Sequence, residues 1–106
     1  MLLPVLALAV LQGVCPMTIG VGNDGKLFTD RFHGWYMVSA KTLESDLHGG
    51  CYNDSNPHNV TSVKLALSAN APKPQVDLVF SILEKEGWTR KNVDVLPWSV
   101  YPKKPQ

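Results

Sequence analysis

Between Val63 and Ser68 bulky apolar residues alternate with polar or small ones, the period-two pattern of a strand with one buried face. Ala71-Pro72-Lys73-Pro74 then breaks the strand, and the period changes. Val76, Val79, Phe80 and Leu83 fall at i, i+3, i+4 and i+7, with Ile82 on the flank and Asp77, Ser81 and Glu84 opposite, which predicts an amphipathic helix. Pro74 suits its first turn, where a missing N–H has no intrahelical partner, and Gly87 suits its C-terminal stop. Alternation returns at Val93-Asp94-Val95 and ends at Pro97, so Val60 to Trp98 reads as strand, helix, strand.

Upstream, Trp35-Tyr36-Met37-Val38-Ser39-Ala40 is aromatic and β-branched. It predicts a strand with Trp35, Met37 and Ser39 on one face and Tyr36, Val38 and Ala40 on the other. Both faces are fairly apolar, as in a strand lying under other structure. Thr42 is placed to cap a short helix through Leu43 and Leu47, stopped by Gly49-Gly50. Residues 14–31, with their Gly20-Val21-Gly22-Asn23-Asp24-Gly25 run, read as an irregular segment. Gly49 to Asn59 reads as loop, and 99–106 as an extended tail whose P-x-x-P spacing matches a ligand of proline-binding domains.

The chain has 106 residues, enough for one small domain that buries only a little over ~60% of its unfolded surface. Its net charge of +1 comes from scattered Lys and Arg, which gives no electrostatic footprint for nucleic acid. The first charged side chain is Asp24, and Leu2 to Val14 is almost wholly apolar. Residues 1–13 therefore read as a secretory signal cleaved after Gly13, or as a retained anchor. At ~1.5 Å per helical residue, Met1 to Gly22 is long enough to cross a ~30 Å hydrocarbon core, although Pro4, Gly13, Pro16 and Gly20 weaken such a helix.

Two further features agree with export to an extracellular, secreted destination. Asn53-Asp54-Ser55 and Asn59-Val60-Thr61 are glycosylation sequons in a polar stretch, which makes Asn53 and Asn59 candidate glycan sites. If cleavage follows Gly13, Cys15 and Cys51 both survive and are able to form a disulfide in an oxidising compartment. Cleavage just beyond Cys15 would leave Cys51 unpaired.

The stretch Asp24-Gly25-Lys26-Leu27-Phe28, leading to Phe32-His33-Gly34-Trp35-Tyr36-Met37-Val38-Ser39-Ala40, resembles the opening of the lipocalins. It is similar in particular to the branch holding apolipoprotein M and the α1-acid glycoproteins. At the far end, Val63 to Asn70, Pro72, Pro74, the helix with Phe80 and Gly87 resemble that family's last barrel strand and flanking helix. Asn92-Val93-Asp94-Val95-Leu96-Pro97 is similar to the short final strand that returns beside the first. The resemblance implies a mainly β fold with one C-terminal α-helix and an antiparallel, calycin-type barrel over 32–98. It also implies that Trp35 lies at the closed end of that barrel. An eight-stranded barrel needs ~9 residues per strand plus turns, and 41–59 has room for one hairpin, so the barrel would lack its middle strands.

Met37, Val63, Leu65 and Leu67, together with Trp35, are the candidate contacts for a small hydrophobic ligand of lipid class; the same alternation equally describes plain core. His48, Cys51, Asp54 and His58 are the cluster with metal-ligand chemistry, but their spacing matches no strong zinc pattern. No metal, other cofactor or enzymatic activity is expected, since no carboxylate pair or nucleophile with its base stands out. Three functions follow: a secreted carrier of small hydrophobic molecules, crippled or not by its missing strands; a protein anchored to membrane or lipoprotein lipid by its apolar N-terminus; and a small interaction or inhibitor module presenting Pro97-Trp98. Open sheet edges would also allow a dimer.

Overall fold

The computed structural model describes residues 15–31, 34–53 and 56–98, with the backbone alone at 31, 34, 51–53 and 56–58. Five strands form one mixed sheet: β1 (Pro16–Val21), β2 (Leu27–Arg31), β3 (Gly34–Val38), β6 (Ser62–Leu67) and β7 (Val93–Pro97). Their order is β3-β2-β1-β6-β7. β4 (Cys51–Asn53) and β5 (Asn56–His58) make a separate two-stranded ribbon, and two helices complete the fold, α1 (Ala40–Gly49) and α2 (Lys73–Lys85).

The region 14–31, expected to be irregular, supplies the middle of the sheet. Met17, Ile19 and Val21 alternate with Thr18 and Gly20, but this short pattern merges at the sequence level with the apolar run before it. β1 and β2 form an antiparallel hairpin in which Thr18 faces Asp30 and Val21 faces Leu27. Its turn closes with Gly25 N–H donating to Gly22 C=O at 3.0 Å, and Gly25 has a φ of 85°, a backbone that favours glycine. Asn70 N–H donates to Asn23 Oδ1 at 3.0 Å and Gln75 Nε2 donates to Gly25 C=O at 2.8 Å, which ties this turn to the start of α2.

β2 pairs antiparallel with β3, whereas β1, β6 and β7 run parallel to one another. A closed antiparallel barrel is therefore not the architecture. The four pairings of the five-stranded sheet leave β3 and β7 at opposite edges, with β2, β1 and β6 between them, so the Trp35 strand does not lie beside the final strand. Parallel partners need long crossovers, and α2 is the one between β6 and β7.

Both helices cover one face of the sheet. Leu43 and Leu47 of α1 and Val79, Phe80, Ile82 and Leu83 of α2 share a single core with Ile19, Val21, Leu27, Val63, Leu65 and Val93. The α2 periodicity is met in full, with Pro74 in the first turn. Its end is a Schellman-type closure: Trp88 N–H donates to Leu83 C=O at 3.0 Å and Gly87 N–H to Glu84 C=O at 3.1 Å, with Gly87 at a φ of 91°. α1 starts earlier than the expected Thr42 cap. Ser39 is the N-cap, and its hydroxyl accepts from Thr42 N–H at 3.1 Å. The loop expected over 49–59 contains the β4–β5 ribbon, with Cys51 opposite His58 and Asn53 opposite Asn56.

Candidate functional site

The helix-free face of the sheet is built from the other half of each alternation. Register places Met37, Phe28, Gly20, Ala66 and Leu96 in one row across all five strands, with Trp35, Asp30, Thr18, Lys64 and Asp94 in the next. Gly20 and Ala66 make a low floor in the middle. Trp98, just past β7, lays its indole across that floor, and a Cβ on Gly20 would meet the Trp98 ring at 1.8 Å. The indole stacks on Trp35 with centroids 4.8 Å apart and planes 26° apart, and meets Phe28 edge to face at 5.6 Å. Both geometries match the preferred arrangements of aromatic quadrupoles.

Trp98 is buried in this position, whereas Met37 beside Phe28 is 62% exposed and Trp35 and Phe28 are half-buried. Asp30, Lys64 and Asp94 stand exposed on the same face. The patch thus offers ring faces and a polarizable thioether, suited to stacking and dispersion, with charges at its border.

The candidate ligand residues divide between the two faces. Trp35 and Met37 belong to the aromatic patch. Val63 and Leu65 point the other way, 2% and 0% exposed under the helices, and Leu67 packs half-buried against the same core. These three hold helices to sheet. The structure adds Phe28, Trp98, Gly20 and Ala66, whose only sequence signals were their parity within short alternating runs and the position of Trp98 two residues past Leu96.

Cys15, at the entrance to β1, is buried and disulfide-bonded. Its N–H donates to Thr61 Oγ1 at 2.8 Å, and Thr61 N–H returns a bond of 2.9 Å to Cys15 C=O. The Asn59 sequon ends in that same Thr61, and Asn59 itself is exposed. The side chains of Asn53 and Cys51 lie outside the described residues. So do those of Asp54 and His58 from the candidate metal cluster, while His48 Nδ1 stands 3.4 Å from Glu86 Oε1. Among the described residues no group of three or more His, Cys, Asp or Glu is placed to hold a metal, and no helix is long and apolar enough to cross a membrane. The candidate signal or anchor at 1–13 and the tail at 99–106 fall outside the described residues.

No family model, no curated protein and no solved structure matches this chain.

Proposed function

We propose that the chain is a secreted, non-enzymatic binding protein that holds a small hydrophobic molecule of lipid class against the open sheet face, at Trp35, Met37 and Phe28. One observation carries this reading. The face already accepts a flat apolar group, the chain's own Trp98 indole, and beside it leaves Met37 exposed with two half-buried rings. Contiguous exposed apolar surface on a small domain commonly marks a binding site. Of the lipocalin resemblance, the ligand class carries over. The closed calyx does not, because a parallel β1-β6-β7 set and well-separated β3 and β7 leave no barrel interior.

Secretion rests on the apolar run at 1–13, the sequons at Asn53 and Asn59, and a disulfide at Cys15 whose partner in a two-cysteine chain we take to be Cys51. Titration of the purified chain with palmitate and with retinol, followed by tryptophan fluorescence, is expected to show saturable quenching. Met37→Glu should weaken it by roughly tenfold, the effect of placing a charge in an apolar contact, with little change in melting temperature because Met37 is exposed. Absence of saturable binding to either probe overturns the reading. Binding only by a form whose N-terminal sequence begins at Met1 would move the activity to a lipid anchor instead.

A further inference from the structure

On the side away from the aromatic face, the ends of the two helices leave a cavity of about 490 Å³, with Leu47, His48, Val60, Glu86 and Trp88 in its wall and the candidate glycan site Asn59 also lining it, so the test uses unglycosylated chain. α1 ends at Gly49 and α2 at Lys85, so two helix C-termini converge there, each the negative end of a helix dipole. Glu86 adds a formal charge, and its side chain is only 22% exposed. Two neighbouring cations are directed elsewhere: Lys85 Nζ lies 3.5 Å from Glu44 Oε2, and the Arg90 guanidinium lies 3.9 Å over the Phe80 ring and 3.6 Å from Asp77 Oδ1. His48 is the one basic side chain in the named wall; it is 85% exposed at the rim with Nδ1 3.4 Å from Glu86 Oε1, so an incoming ammonium shares that carboxylate with the imidazole or displaces it. Leu47, buried, and Val60 and Trp88, packed against the core, give the wall its apolar part.

A site with negative potential from three sources, one aromatic ring and an aliphatic floor selects a cation with an apolar body. The Glu86 carboxylate accepts hydrogen bonds, which favours an ammonium that carries N–H donors over a quaternary one. Trp88 contributes a cation–π or stacking surface. We propose that this cavity binds a primary amine bearing a compact apolar group, the ammonium at Glu86 and the helix ends, and the apolar group on Leu47, Val60 and Trp88.

The test is a titration of the full chain at pH 7 with 2-phenylethylammonium chloride and with its neutral isostere 2-phenylethanol, followed by ¹H–¹⁵N NMR. The amine is expected to shift the Trp88 indole and the His48 and Gly87 amides along one saturable curve, and the alcohol to bind about tenfold more weakly, the value of one charge-assisted hydrogen bond. Glu86→Gln should weaken the amine by a similar, roughly tenfold factor, while Asp94→Asn on the far side of the sheet leaves it unchanged. Equal binding of amine and alcohol, shifts spread over the acidic surface, or an undiminished Glu86→Gln variant overturns the proposal. Should Glu86→Gln unfold, the comparison of amine with alcohol on the native chain still decides.

Discussion

The two faces of the sheet are made by the same strands and solved by different means. On the covered face, Ile19, Val21, Val63 and Leu65 present branched aliphatic side chains to two amphipathic helices, and the result is a continuous aliphatic core. On the open face the same strands offer Gly20 and Ala66, and one indole supplied from beyond β7 lies over them. The first face buries area through many residues, each replaceable in part. The second depends on the absence of a side chain at one position and the presence of a ring at another. That difference leaves the covered face closed, while the open face keeps Met37 exposed and Trp35 and Phe28 half-buried.

The comparison breaks most sharply at Leu65. It lies fully buried between the helices and the central strands, so Leu65→Ala should cost about 3 kcal/mol in urea unfolding, within the range for cavities in a core that relaxes incompletely. The open face should give way differently. Gly20→Val puts carbon where the Trp98 ring lies and should cost about 2 kcal/mol, typical of overpacking, with loss of the near-ultraviolet dichroism of the Trp35–Trp98 stack. In a Trp98→Ala background the same change should cost less than about 0.5 kcal/mol, because the two groups no longer meet. An additive double-mutant cycle would mean that the indole does not rest on Gly20.

How much of this was legible depends on the range of the interactions concerned. α2 was readable because its period, its early proline and Gly87 all lie within 15 consecutive residues of Lys73 to Gly87, and local geometry alone dictates them. β6 and β7 were readable for the same reason, and so was a strand at Trp35 to Val38. β1 was not, because Gly20 interrupts an already short alternation, and the reason for a glycine there is the Trp98 ring more than 70 positions away in sequence. Strand order was equally hidden: β1 chooses β6 as its parallel neighbour through buried pairs such as Ile19 with Leu65, and no local pattern encodes that choice. The site suffered most, since an alternating strand shows which residues share a face but not which face the helices will take. Trp35 and Met37 were correctly grouped with each other; Val63, Leu65 and Leu67 share the parity of a strand whose apolar side turned inward.

The smallest expected effect lies outside both faces, on the exposed side of α2, and it separates local electrostatics from packing. Asp77 Oδ2 accepts a hydrogen bond from Lys73 Nζ at 2.8 Å, and this bond, ahead of the nearby charges of Lys73 and Arg90, holds the carboxyl below its ordinary value of 3.8. A carboxyl depressed by folding contributes stability that is complete above the unfolded value and disappears as pH falls through the lower folded one. Melting temperature measured from pH 6 down to pH 2 should therefore show native chain and Asp77→Asn converging on acidification, with the gap already narrow in 0.5 M salt because the pair is exposed to solvent. Asp24, depressed chiefly by the Lys26 N–H it accepts, keeps its own acid dependence in both proteins and cancels from the difference. A gap that stays constant across this range would assign the contribution of Asp77 to helix packing, and the acid sensitivity of the fold would then have to come from elsewhere on the molecule.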